Sequence, residues 1–167
     1  FDANLTFVTS VACGLAAHFQ PLLAHDNTNN QVYVVNQLKQ LWTISDAGIA
    51  ANTGFTFSGN APCAIAISQD GTKLYWAEIA TGIIHVKLLA DFSDLTDLYT
   101  IPGYVGGTDT LAETYNGVFG DMFTMPDDSI VTWWHDVSLD DWIILQISSL
   151  GVLVNSYTLT GTRKMDH

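Results

Sequence analysis

Residues 64–78 read AIAISQDGTKLYWAE and predict a β-hairpin. The stretch contains two short runs of apolar, β-branched and aromatic residues, which are typical of β-strands. Between the runs stands Asp70-Gly71. This dipeptide favours a tight reversal of the chain, because both residues tolerate a positive φ.

The plan of this hairpin occurs three times along the chain. Each unit holds an apolar strand, a turn rich in Asp or Asn, a second and a third strand joined by a short link, and a fourth strand that ends near a glycine. The second strands are anchored at Val32, Leu74 and Ile130, which lie 42 and 56 residues apart. The third strands are anchored 12, 12 and 17 residues later, at Ile44, Val86 and Ile147. The third unit is longer because its hairpin extends over residues 136–141.

Four short strands in each unit of this length are the pattern of a β-propeller blade. AIAISQDGTKLYWAE resembles blades of the NHL, SMP-30/gluconolactonase and YWTD type. MPDDSIVTWW at 125–134 and LQISSLGVLVNSYTLTG at 145–161 resemble the same blade pattern in secreted and phage-tail-associated proteins. The first unit departs from it, because residues 26–30 read DNTNN where an Asp-Gly is expected. The resemblance implies an all-β fold of about three four-stranded antiparallel blades, a partial ring or half-ring.

The predicted units have the following bounds: a strand of a preceding blade, or a closing strand, over 1–15; blade 1 over 16–60; blade 2 over 61–107; blade 3 over 108–161; and a tail, or the start of a further blade, over 162–167. A closed propeller needs about four blades or more. The chain is therefore part of a longer protein, or two copies form a six-bladed ring, or the repeat belongs to a β-sandwich or solenoid. We favour the first explanation and then the second, since an open stack exposes two apolar sheet faces.

Charge and composition exclude several function classes. The chain has 167 residues, 17 acidic and 5 basic side chains, a net charge of −12 and 48% hydrophobic residues. Five Lys and Arg cannot supply the basic face of a nucleic-acid-binding protein. No apolar run reaches the roughly 18 residues that a membrane-spanning helix needs. We therefore expect other protein chains, through self-association or a larger assembly, and carbohydrate as a further partner.

Polar side chains near the ends of the second strands are the candidate ligand-binding residues. They are Asn36, Glu78, Trp134, His135 and Asp136, and the loop residues Asp109 and Glu113 are expected on the same face. In lactonase-type relatives such groups hold a divalent cation near the central channel, and oxygen ligands suit Ca²⁺. The family's metal ligands cannot be placed residue by residue on this chain. The metal ligands therefore stay unknown, and no cofactor is predicted beyond the Ca²⁺ alternative.

The most unusual local string is Trp133-Trp134-His135-Asp136. Successive residues of a strand point to opposite faces, so one tryptophan is expected in the core. The other can fill space between blades, which is the commoner use of such a residue, or stack on a sugar ring. The lectin-like alternative predicts a sugar stacked on Trp76, Trp134 or Trp142.

Two cysteines, Cys13 and Cys63, lie far apart in the sequence. A disulfide between them would close a loop of about 50 residues and stabilise the fold by roughly 3–4 kcal/mol. The alternative is two buried thiols that act as small hydrophobic residues. No CxxC motif is present, so neither a structural zinc site nor a thioredoxin-type redox site is predicted.

No sequence motif of an enzyme is present: GxSxG, the P-loop, GxGxxG and HExxH are all absent. We therefore expect a non-enzymatic structural or binding module of an extracellular or virion assembly, such as a tail or fibre component. The alternatives are part of a metal-dependent propeller hydrolase of the lactonase class and a carbohydrate-binding propeller.

Overall fold

The computed structural model describes residues 22–36, 38–58, 62–104, 119–136, 139 and 141–160. These ranges contain twelve β-strands and no helix. It follows that no helix within them has the length and apolarity needed to cross a membrane. The predicted all-β class is confirmed.

The strands form three four-stranded sheets, and in each the strands follow one another in chain order. The first sheet consists of β1 (Leu22–Asp26), β2 (Gln31–Val35), β3 (Gln40–Ser45) and β4 (Ala50–Thr56). The second consists of β5 (Pro62–Ile67), β6 (Lys73–Glu78), β7 (Ile83–Leu88) and β8 (Tyr99–Thr100). The third consists of β9 (Phe119–Thr124), β10 (Ile130–Asp136), β11 (Asp141–Ile147) and β12 (Leu153–Leu159).

Every neighbouring pair of strands is antiparallel, as the blade pattern predicts. Each sheet lies inside one of the predicted units, whose outer bounds stay a prediction. The expected strand over 1–15 and the tail over 162–167 lie outside the described residues. So does most of the connection between the second and third sheets.

The second sheet is the middle layer and is buried on both faces. In β6 the side chains of Leu74 and Trp76 pack towards the first sheet, while those of Tyr75 and Ala77 pack towards the third. Side chains alternate between the two faces of a strand. A strand covered on both sides therefore needs an unbroken apolar run, and this explains the LYWA stretch.

Two apolar layers hold the three sheets together. The layer between the first and second sheets contains Ala24, Tyr33, Val35, Leu41, Phe57, Ile65, Ile67, Leu74 and Trp76. The layer between the second and third sheets contains Ala64, Ala66, Tyr75, Ala77, Ile84, Val86, Ile101, Met122, Ile130, Trp134, Leu145 and Ile147. Each fully buried Leu or Ile side chain stabilises the fold by about 1.5–3 kcal/mol relative to its exposed state.

Hydrogen bonds also join the sheets at the turns between their first and second strands. The Thr28 hydroxyl donates to the Gln69 carbonyl at 2.7 Å, which links the first sheet to the second. The Gln69 backbone N–H donates to Asp128 Oδ1 at 2.8 Å, which links the second sheet to the third. The Thr124 hydroxyl adds a 2.7 Å bond to the Ile67 carbonyl. Adjacent sheets therefore have a defined register as well as apolar contact.

The turn of the first sheet is built around Asp26, whose side chain is fully buried. It accepts hydrogen bonds from the backbone N–H groups of Thr28 and Asn29 at 3.1 and 3.0 Å. The side-chain amides of Asn29 and Gln31 donate to it at 2.8 and 3.3 Å. Burial, and then the negative charge of Asp26, raises the pKa of Tyr33. The DNTNN string therefore forms the turn without an Asp-Gly, because the Asp26 carboxylate accepts these four hydrogen bonds.

Candidate functional site

The ends of the second strands bring three polar residues to equivalent positions. Asn36, Glu78 and Asp136 each precede the turn that leads to the third strand. Trp134 does not occupy that position, although the repeat pattern predicts it at the end of its strand. Strand β10 continues through Asp136, which pairs with Asp141, so Trp134 lies two residues further inside the sheet.

Asn36 serves the geometry of its own turn. Its side-chain oxygen accepts the backbone N–H groups of Leu38 and Gln40, both at 3.0 Å. Its amide nitrogen donates to the Gln40 side chain at 3.0 Å. The residue is buried, and a ligand would have to displace these three bonds to reach it.

Glu78 belongs to a small polar cluster with His85 and Asp97. The Thr81 hydroxyl donates to its carboxylate, and His85 Nε2 lies 3.8 Å from the same carboxylate oxygen. The other ring nitrogen, Nδ1, hydrogen-bonds Asp97 Oδ1 at 2.7 Å. The Trp76 ring stacks on the imidazole with 4.2 Å between ring centroids. Sequence reasoning missed this cluster, because its members come from β6, β7 and the β7–β8 connection and share no local motif.

Trp134 is a core residue. It is 4% exposed, and its ring meets Tyr104 edge-on at a centroid distance of 5.4 Å. Trp76 is also buried, so neither of these rings offers a free face to a sugar. The His135 side chain and the loop residues Asp109 and Glu113 lie outside the described part of the chain, so their predicted roles stay predictions.

The metal prediction finds no support in the geometry. Nowhere in the described ranges do three or more His, Cys, Asp or Glu side chains come together as a metal site would require. The side-chain contacts described for Asn36 lie within its own turn, and those described for Glu78 lie within the second sheet.

Cys63 forms no disulfide within the described part of the chain, and its thiol donates to the Ala77 carbonyl with 3.2 Å between the sulfur and the oxygen. Burial raises the pKa of this thiol, which keeps it neutral. Cys13 lies outside the described residues, so the disulfide stays a prediction that a count of free thiols can test.

An apolar surface covers the side of the third sheet that faces away from the second sheet. Strand register places its members on one face, because directly paired residues share a side. We call it the outer face of the third sheet; its members are Phe123, Val131, Trp133, Trp142, Ile144, Tyr157 and Leu159. Phe123, Tyr157 and Leu159 are 45%, 59% and 48% exposed. Exposed apolar patches of this kind mark interaction sites.

The last strand extends this surface to the edge of the molecule. All seven residues of β12, LVNSYTL, are exposed, and none of them carries a charge. β12 is the end strand of its sheet, so one row of its backbone N–H and C=O groups has no partner strand among the described residues. Such an edge is a template for association.

Solved structures identify the architecture. No protein-family model matches the chain, and no curated protein matches it. Hydrazine synthase of Kuenenia stuttgartiensis aligns with a TM-score of 0.56 at 17% identity, over 87% of this chain and 39% of the other. A chain of a nidogen/laminin complex aligns with a TM-score of 0.56 at 18% identity, over 83% and 47%. A quinoprotein alcohol dehydrogenase-like protein of Bacteroides thetaiotaomicron aligns with a TM-score of 0.53 at 10% identity, over 83% and 33%.

These likenesses show the fold and nothing of the function. The three sheets are blades of the β-propeller type, as predicted. The finer assignment to the NHL, SMP-30/gluconolactonase or YWTD type is matched by no family model and stays a prediction. The chain spans less than half the length of each of these three structures.

Proposed function

We propose that the chain is a non-enzymatic β-propeller-type module that joins other protein chains through its third sheet, as part of an extracellular or virion assembly. The observation that carries the proposal is the exposed outer face of the third sheet, continued by the uncharged strand β12. Apolar sheet faces pack against other sheets in this molecule, because both faces of the second sheet are covered by its neighbours.

The favoured partner surface is another blade-type sheet. Ile144, Tyr157 and Leu159 repeat the aromatic and aliphatic composition of the two apolar layers inside the molecule. Among the described residues that the strand register places on this face, the charged one is Asp121 at the β9 edge, so a partner sheet that covers the β11–β12 side would not have to bury an unpaired charge from it. A second copy of this chain presents surfaces of this type and is the partner to test first.

The extracellular or virion setting rests on the sequence alone. Its support is the resemblance of the third unit to blades of secreted and phage-tail-associated proteins. The lactonase alternative lacks a cluster of ligands within the described ranges. The sugar-binding alternative names three tryptophans. Trp76 and Trp134 are buried in the core, so Trp142 is the candidate that remains.

Sedimentation velocity of the purified chain, over a hundredfold range of concentration, tests the association. We expect the mass to rise from 18.2 kDa towards twice that value with concentration. Tyr157→Lys should abolish this rise, because a buried, unpaired ammonium costs several kcal/mol, which weakens association by more than about a hundredfold.

Ser156→Lys is the matched control. It adds the same side chain at the next position of β12, but Ser156 pairs with Leu145 and points to the opposite side of the sheet. This variant should associate like the original chain. A chain that stays monomeric at every concentration, or a Tyr157→Lys variant that associates as well as Ser156→Lys, would contradict the proposed surface.

A further inference from the structure

A cleft of about 320 Å³ lies where the first strands of the three sheets converge. Leu23 and His25 of β1 form one wall, and Asp121 and Phe123 of β9 form the opposite wall together with Trp133 of β10. The cleft is at the β9 edge of the third sheet, and β12 is at the other edge. The cleft therefore lies at the end of the outer face that is farthest from β12.

The register of β9 and β10 groups the three residues of this wall. Thr132 pairs with Met122, so the next residue of β10, Trp133, lies opposite Asp121 of β9. Phe123 lies two positions from Asp121 on the same face of β9. Beyond Trp133 the pairing shifts to Trp134↔Phe119, so β9 carries one extra residue, and such bulges are common beside functional sites.

The wall combines two aromatic rings with a carboxylate. The rings of Phe123 and Trp133 lie 6.4 Å apart, centroid to centroid, and are tilted by 59°. Because the rings are tilted, a group placed between them can contact the faces of both rings. The exposed Asp121 side chain makes no hydrogen bond or ion pair with any other described residue.

The charges of the cleft select the ligand class. Among the described residues that line the cleft, Asp121 is the only acidic side chain, and none is a Lys or an Arg. The whole chain carries a net charge of −12, which favours the approach of cations. Aromatic faces attract organic cations through their quadrupoles, and a neighbouring carboxylate adds direct charge pairing.

We propose that this cleft binds an alkylammonium group between Phe123 and Trp133, with Asp121 as its counter-ion. The site shares Phe123 and Trp133 with the outer face of the third sheet, but it lies at the β9 edge of that face, away from β12. Two sources share this chemistry: a free small molecule of the choline type, and a methylated lysine side chain of a partner protein.

Titration calorimetry of the full chain with choline, at pH 8 in 150 mM NaCl, tests the site. This salt concentration screens exposed charges beyond about 8 Å, so the net charge of the chain cannot by itself retain the cation. We expect saturable binding of choline and none of its neutral carbon isostere, in which carbon replaces the nitrogen. A trimethyllysine peptide, compared with its unmodified form, separates the two sources. Binding of either cation supports the site, and tighter binding identifies its source.

Asp121→Asn should weaken binding at least about tenfold, the loss that corresponds to one charge-assisted contact. Asp141→Asn makes the same change in charge outside the cleft and should bind like the original chain. Phe123→Leu keeps an apolar side chain but removes a ring, so it should also weaken binding. The variants are compared only after their circular dichroism spectra match the original.

Three results would overturn the proposal. The first is equal binding of choline and its neutral isostere. The second is equal loss in Asp121→Asn and Asp141→Asn, which would reduce the effect to net charge. The third is absence of binding of choline and of the trimethyllysine peptide at millimolar concentration. The titrations are made at a chain concentration at which sedimentation velocity shows a monomer, so none of these results depends on self-association.

Discussion

Replacing Gly151 by alanine tests how firmly the β11–β12 turn is seated against the second sheet. Gly151 has φ = 76°, and a Cβ atom at this position would lie 2.1 Å from the Leu98 carbonyl oxygen. Real side chains never approach a backbone atom so closely, so the turn or the segment around Leu98 must move. Gly54 is the matched control, because its φ of 81° is similar but a Cβ there would meet no heavy atom within 4 Å.

Both substitutions carry the free-energy cost of alanine at a positive φ, but the steric cost of an added carbon applies to Gly151→Ala alone. Alanine with a positive φ destabilises the fold by about 1–2 kcal/mol, and this applies to both glycines. Forcing an added carbon into an occupied space costs about 1–3 kcal/mol more, and this applies to Gly151 alone. We therefore expect a loss of about 1–2 kcal/mol in the free energy of unfolding for Gly54→Ala and about 2–5 kcal/mol for Gly151→Ala.

Urea unfolding followed by tryptophan fluorescence measures both losses. The slope of free energy against urea should stay constant, because neither change alters the surface exposed on unfolding. Equal losses for the two variants would refute the reasoning, since they would mean that the turn is free to move away from Leu98. A selective loss at Gly151 would show that the third sheet is anchored to the second beyond their apolar layer.

Three further predictions concern single side chains. Asp26→Ala should cost about 2–4 kcal/mol in urea unfolding, because four donors of the turn lose their buried, charged acceptor; a loss as small as that of the exposed Asp46→Ala would contradict this. The Ser68 and Thr72 hydroxyls lower the pKa of Asp70, so its contribution to stability is present above about pH 4 and is lost as the pH falls through the lower, folded value. Thr72→Val should flatten this acid-side decline in a series of urea titrations, and an unchanged profile would count against the hydroxyl. The raised pKa of Cys63 predicts that its thiol reacts with a disulfide reagent far more slowly at pH 8 in the native chain than in urea, and fast native labelling would exclude its burial.

Most of the architecture can be predicted from local pattern. The run from Leu74 to Ala77 indicates a strand buried on both sides, and the three-fold recurrence of the plan predicts four strands in each sheet. The turn rule, which expects a glycine where φ is positive, holds for the second sheet but not for the third. Gly71 has a positive φ as expected, but Asp128 occupies the matching place in the third sheet without being glycine. There Asp128 also accepts the Gln69 N–H, a contact between sheets that no local rule includes.

The candidate site is predicted less well, because it depends on where strands end and how they pair. Trp133 and Trp134 are adjacent and chemically identical, and alternation requires only that they face opposite sides of the sheet. Which of them is buried depends on the side from which the second sheet covers β10; in the structure Trp134 meets Tyr104 and Trp133 meets Phe123. The pairing that places Trp133 beside Asp121 is a property of the β9–β10 register and has no signature in either strand alone.

Strand class, repeat number and the exclusion of a basic nucleic-acid face follow from the amino-acid sequence, because they depend on residue type and spacing within a few neighbours. The buried carboxylate of Asp26, the His85 cluster, the exposed outer face of the third sheet and the cleft beside β1 follow from tertiary structure alone. The members of the last three lie on different strands or sheets, and the turn of Asp26 is covered by Gly71 of the second sheet, so pairing and stacking set these distances. The physical reason is that electrostatics and burial act over a few ångströms of space, whatever the separation along the chain.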